Sequence, residues 1–331
     1  MEEERTSMKK SSLILIVTIA ALAVGAAAGI GTMAVLQPGI TGNTAIQTTA
    51  PGTQSESGSE AAASGTYGHV HALALLPESR VLLMGSHNGL YRSMDEGATW
   101  AKVDVRGDVN AGDFMSLVLD PRDENIIYAG GHDLGVIKST DGGNTWVRWD
   151  SGISGTDIHG FTINQRNPDL HLAYSVGYGV FRSTDGGKTW KRMDDGPENP
   201  GVRSLGYLAV QTSMDKSMGW DNWGLLLAGT SGGLYSSFSC FCGWTKVTEE
   251  FDDSTIFALA NVQADLRTLY AGTKDGIFKS TDEGASWRKL DGRGPIAGIA
   301  INPSSPGVVY AVDESGLVLK TTDGGNMWMV L

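Results

Sequence analysis

Cysteine is almost missing from this chain: 331 residues contain 2. Cys240 and Cys242 stand two positions apart and cannot build a disulfide framework. In an oxidising compartment they are candidates for one tight local bridge, which neighbouring positions on a strand would strain. No His or Cys follows them at ligand spacing, so a structural zinc site of the usual kind is excluded. Basic residues are also scarce. Lys and Arg total 25 against 37 Asp and Glu, a net charge of −12. A nucleic-acid partner is excluded, because phosphate binding needs a basic face. Between Lys10 and Arg80 there is no Lys or Arg at all.

Inside that gap, Leu13–Leu36 ("LILIVTIAALAVGAAAGIGTMAVL") carries no charge. It is long enough to cross a bilayer as a helix. It also exceeds the apolar core of a cleavable signal, about 7–15 residues. The length favours an uncleaved anchor over a removed signal, for which Ala26–Gly29 offer small residues. Arg5, Lys9 and Lys10 precede the span, a positive-inside asymmetry. The expectation is a cytoplasmic tail at 1–12 and a single-pass transmembrane signal anchor at 13–36, with the rest outside the cytoplasm. Gln37–Thr66 is rich in Gly, Ser, Thr and Ala and reads as a flexible linker. Its reach as a coil is ~30 Å.

What the chain has in quantity is glycine, 45 residues, with 9 Trp and 9 Tyr. Glycine at turns and aromatics between them is an all-β composition. "SMDEGATW" at Ser93–Trp100 returns as "STDGGNTW", "STDGGKTW", "STDEGASW" and "TTDGGNMW", ending on Trp146, Trp190, Trp287 and Trp328. A fourth-unit relative, "SSFSCFCGW" (Ser236–Trp244), keeps the flanking Ser and Trp and loses the Asp. Each unit has one grammar: an alternating apolar strand, a second run ending in small residues, a third strand after a Gly, the Asp turn, and a fourth strand opening on Trp. That is the period of a propeller blade. The reading is a six-bladed β-propeller of four-stranded blades over 67–331. Blade six closes on blade one without a shared strand.

The turn needs a residue tolerant of positive φ, supplied by Gly97, Gly143, Gly187, Gly284 and Gly325. The carboxylates of Asp95, Asp141, Asp185, Asp282 and Asp323 can accept bonds from their own turns. The Trp packs back under the hairpin. These roles are structural, because residues repeated around a ring do not converge on one point. The pattern Ser-x-Asp-x-Gly-x-Thr-Trp resembles the Asp-box, or bacterial neuraminidase repeat. The resemblance covers 67–331 and implies a propeller of the sort found in sialidases, xyloglucanases, sortilin-type receptors and photosystem II assembly factors.

Propellers present ligands at one mouth of the central channel. The Asp turns join strands three and four, so the functional mouth is at the opposite end. Aligning the units places His69, Asp113, Asp157 and Arg203 at the start of inner strands one to four. His71 and His159 fall two residues further along, and His87 and His132 lie in loops between strands two and three. Imidazole with carboxylate suits a ligand or metal site. A sialidase-like enzyme would need an arginine cluster. Most arginines here, such as Arg92 and Arg182, occupy repeat slots instead, and only Arg106, Arg203 and Arg293 fall in mouth-side loops. A xyloglucanase-like pair would be Asp113 and Asp157. In blade four, Gln211–Gly224 lengthens the link between strands one and two and carries Trp220 and Trp223. The sequence is read as a membrane-anchored extracytoplasmic binding or assembly module for a protein or glycan, with no cofactor assigned. The alternative is a glycoside hydrolase of the Asp-box class.

Overall fold

Each repeat unit folds as a small antiparallel sheet, because its runs alternate apolar residues and are separated by Gly and Asp turns. The computed structural model describes residues 67–109, 112–198, 201–208, 224–238, 243–262 and 265–331. The anchor and linker expected before residue 67 lie outside the described residues. So do Cys240, Cys242, Trp220 and Trp223. Among the described residues no helix is long and apolar enough to cross a membrane.

Among the described residues there are six sheets, each with four strands in chain order from the channel outward. Blade one runs Val70–Leu76, Val81–Ser86, Gly89–Ser93 and Ala101–Lys102. Blade six runs Ile296–Ile301, Val309–Asp313, Val318–Thr321 and Met329–Val330. The inner strands of these two blades pack together and close the ring, and no strand is exchanged. Blade two has a fifth strand, Arg106–Gly107, which pairs in parallel with Thr145–Trp146. A side chain at Gly107 would meet the Trp146 carbonyl oxygen at 1.9 Å, so only glycine allows this approach.

The core is divided into six apolar wedges, one per junction between neighbouring blades. One wedge joins Leu83 and Leu90 of blade one to Phe114, Ile127 and Trp146 of blade two. Another joins Leu73, Leu82 and Met84 of blade one to Tyr310, Val312 and Val318 of blade six. The remaining four wedges fill the other junctions. Each blade therefore buries apolar residues on both faces, which is why its two middle strands are almost wholly buried.

In the Asp turns the hydroxyl before the Asp and the N–H groups after it bond the carboxylate. In blade two the Ser139 hydroxyl donates to Asp141 Oδ1 at 2.8 Å and accepts from the Gly143 N–H at 2.9 Å. Asp141 Oδ1 accepts from the Thr145 N–H at 2.8 Å, and Oδ2 accepts from its hydroxyl at 2.7 Å. The Trp146 indole N–H donates to the Gly143 carbonyl at 2.9 Å. Two consecutive residues after the Asp are left-handed, where the sequence had suggested one. Gly142 and Gly143 have φ 69 and 92, while in blade five Glu283 takes the first place with φ 65. Repeat-slot cations tie blades one, five and six to the next box. Arg92 donates to Asn144 Oδ1 at 3.0 Å and to the Gly142 carbonyl at 2.7 Å. Lys279 donates to the Gly324 carbonyl at 3.0 Å. Lys320 pairs with Glu96 and so bonds the last blade to the first.

Candidate functional site

Strand register settles which residues meet at the channel mouth. Val70 pairs with Ser86 and Ala72 with Gly85, so His71 is an extra, bulged residue. The same slip leaves His159 bulged in blade three and Arg203 bulged in blade four. A bulge re-aims its side chain, and all three residues line the channel. This corrects the sequence alignment of Arg203 by two positions. Arg203 corresponds to His71 and His159, whereas His69, Asp113 and Asp157 precede their strands. The same slip recurs in blades five and six, so the bulge is a shared feature of the inner strands, and Gly201 is the residue level with His69 and Asp157. Inner strands start at this mouth, and the Asp turns lie at the other end, since Ser93 pairs with Leu82 near the start of strand two.

Four histidines and two aspartates come together there. His132 is central. Its Nδ1 lies 2.6 Å from Asp113 Oδ2, and its Nε2 lies 2.9 Å from His159 Nε2. Asp157 Oδ1 is 3.0 Å from His159 Nε2 and 3.6 Å from His132 Nε2. On the other side, His87 Nδ1 is 3.7 Å from Asp113 Oδ2. The His71 and His87 rings are 4.4 Å apart between centroids. His71 Nε2, Asp113 Oδ1 and Asp157 Oδ1 are buried atoms without a hydrogen-bond partner.

Burial lowers the His71 pKa to about 3, helped by the nearby charges of His87, His69, His132 and His159. Burial also lowers that of His159, against the opposing pull of Asp157, with His132 and Arg203 adding to the fall. Both rings are therefore held neutral, with lone pairs free to act as ligands.

Not every candidate joins the cluster. His69 is 68% exposed and its Nδ1 is 4.0 Å from Glu314 Oε2 of blade six. Glu314 was missed in the sequence, although it follows the second strand at the place His87 and His132 occupy in their blades. Arg203 is exposed and acts on His159 through its charge. Arg106 and Arg293 do not join it. Arg106 sits 3.6 Å from Asp104, and Arg293 bonds Asp291 through two nitrogens. Asp113 and Asp157 do not face an open gap, because the His132 ring stands between them. The box aspartates are spent on their own turns. Asp95 and Asp185 fall to about 2 because Thr99 and Thr189, with Ser93 and Ser183, bond the carboxylates. The sixth histidine, His171, lies apart in blade three, in contact with Tyr128, Phe161 and Trp190.

Fold and site define a six-bladed Asp-box propeller with a histidine and carboxylate mouth. The BNR/Asp-box repeat matches this chain at residues 181–192, in blade three. Among curated proteins none matches. Among solved structures the chain is similar to the GH74 enzyme of Niastella koreensis, at 19% identity over 80% of this chain and 45% of that one, with a TM-score of 0.58. It is also similar to the GH74 xyloglucanase of Xanthomonas campestris, at 17% identity over 80% of this chain and 45% of that one, TM-score 0.54. YCF48 from Cyanidioschyzon merolae matches at 16% identity over 81% of this chain and 86% of that one, TM-score 0.48. The chain thus spans less than half of either GH74 structure. At these identities the likeness is one of fold.

Proposed function

We propose that this protein is a membrane-anchored, extracytoplasmic binding module for a protein or glycan, and that its binding face is the histidine mouth. The observation that carries the reading is the meeting of His71, His87, His132 and His159 with Asp113 and Asp157 on three neighbouring blades. A propeller does not need such a cluster to fold, since its stability lies in the wedges and the boxes. The placement outside the cytoplasm rests on the charge asymmetry around residues 13–36.

Glycoside hydrolysis is the competing reading, and the GH74 likeness supplies its fold. A pair of catalytic carboxylates must flank a sugar and, in inverting enzymes, a water. Here an imidazole fills the space between the two best-placed aspartates. The test has two arms. In cells, a photoreactive residue at position 69 should crosslink to an extracytoplasmic partner, and one at Asn326 on the box face should not. Purified protein should release no sugar from xyloglucan oligosaccharides or sialosides. Turnover that vanishes in Asp113→Asn or Asp157→Asn would replace the binding reading with a hydrolase.

A further inference from the structure

The mouth holds a local electrostatic conflict. Asp113 accepts from His132 Nδ1, which places the His132 proton on that nitrogen and leaves a lone pair on Nε2. That lone pair faces His159 Nε2 at 2.9 Å and Asp157 Oδ1 at 3.6 Å. Asp157 Oδ1 is itself 3.0 Å from His159 Nε2 and has no hydrogen bond. Three electron-rich atoms thus converge, and a single proton on His159 could satisfy only one of the contacts.

Their spacing fits a cation. Ligand atoms on bonds of about 2.0–2.1 Å in tetrahedral directions lie ~3.3 Å apart. The three separations here, 2.9, 3.0 and 3.6 Å, bracket that edge length. The two ring nitrogens and one carboxylate oxygen are a donor set that suits borderline metals of the zinc and copper type. A carboxylate on the far nitrogen of a metal-binding imidazole is the usual outer support, and Asp113 holds that place for His132. The His132 and Asp157 side chains are each 37% exposed, so the trio lies at the rim of the mouth, with Asp157 Oδ1 itself buried.

We propose that His132, Asp157 and His159 bind one divalent transition-metal ion, with Asp113 orienting His132 and a fourth position left open. The metal is the ligand, or the anchor for a partner's ligating group, at the binding face described above, and the inference rests on that reading of the mouth. The adjacent trio His71, His87 and Asp113 is a poorer set. Its Asp113 Oδ2 is already committed to His132 and stands 3.7 Å from His87 Nδ1, which leaves only the buried Oδ1 unpartnered.

The full-length protein in detergent, stripped with a chelator, is titrated with Zn²⁺ by calorimetry and with Co²⁺ by visible absorption. One equivalent of Zn²⁺ should bind, Co²⁺ should show the intense bands of a four-coordinate site, and Zn²⁺ should raise the melting temperature. His132→Gln and His159→Gln should each abolish the saturable binding. Asp113→Asn should weaken it by about 10–100-fold. His69→Ala should leave it unchanged. His159 is buried and its variant could misfold. His132→Gln and Asp113→Asn, checked by circular dichroism, then carry the comparison. The inference is overturned if the native protein takes up no Zn²⁺ above the His132→Gln background, or if bound Co²⁺ keeps its aqueous spectrum. A metal-free mouth that still crosslinks to a partner would sink the metal site and leave the binding module standing. Metal uptake without any partner would do the reverse.

Discussion

Trp146 and Asp141 show how unevenly one turn divides its work. The Trp146 side chain is fully buried, packs on Phe114 at 5.7 Å and bonds the Gly143 carbonyl. Trp146→Ala should cost about 3–5 kcal/mol in urea unfolding, as truncation of a buried large aromatic does. Asp141→Ala removes local turn bonds and should cost about 1–2 kcal/mol. If Asp141→Ala left stability intact yet abolished crosslinking through the mouth, the structural role of the box would be wrong. His171 offers a prediction in pH. Burial holds its pKa at about 4, well below the ordinary 6.5. Below pH 6.5 the unfolded chain takes a proton that the folded chain refuses, so stability falls between pH 6.5 and 4. The loss is on the order of 3 kcal/mol at 1.36 kcal/mol per pH unit. The stability advantage of the native protein over His171→Gln should therefore shrink across that window. A constant difference between pH 7 and 4 would show that His171 is not held neutral.

The box hairpin is an element whose strain can be relieved. Glu283 is held at φ 65 beside an exposed and distant Arg267, at 4.0 Å. A left-handed conformation disfavours any residue with a Cβ. Glu283→Gly should raise stability by a few tenths to about 1 kcal/mol, reduced by the greater freedom of glycine in the unfolded chain. Thermal unfolding of the pair measures it, and a loss of stability would mean that the Arg267 contact outweighs the strain. The same hairpins respond to acid in a definite direction. Asp95 and Asp185 have folded pKa values near 2 against an ordinary 3.8. Their contribution is complete above about pH 4 and is lost as pH falls toward 2.

The molecule is held as a ring, so the junction between blades six and one matters more than its length suggests. Lys320 pairs with Glu96 there, beside the wedge of Leu73, Met84 and Tyr310. Gly298 lets the two inner strands approach. A Cβ on it would lie 2.7 Å from the Leu73 backbone nitrogen and 2.8 Å from the Leu73 Cβ. Gly298→Ala should destabilise by about 1–3 kcal/mol through overpacking. The change should also speed proteolysis of the whole propeller rather than of one blade. Unchanged unfolding would mean that the closure tolerates displacement. The position of the ring relative to the membrane has its own test. Protease added to intact cells or spheroplasts should cut within 37–66 and release a folded propeller fragment. Protection there, with cleavage in inverted vesicles, would reverse the orientation.

The repeat, the blade count and the strand quartets were legible in the amino-acid sequence because they depend on local pattern. Alternating apolar residues, a Gly after the Asp, and a Trp opening the next strand are written within a few positions of each other. The histidines of the mouth were also legible as a group, since aligned repeats share an end of the channel. Their mutual geometry was not. Whether His132 faces Asp113 or solvent depends on the bulges and on the angle between neighbouring blades, neither of which has a local signature. Arg203 was misaligned by two residues, and the strand register corrected it. Glu314 escaped notice because blade six lies next to blade one only when the ring closes. The sequence by itself determined a six-bladed ring with Asp-box hairpins in five of its blades. The tertiary structure alone decided that two imidazoles and a carboxylate meet at 2.9–3.6 Å, because that distance is set by packing between separate blades.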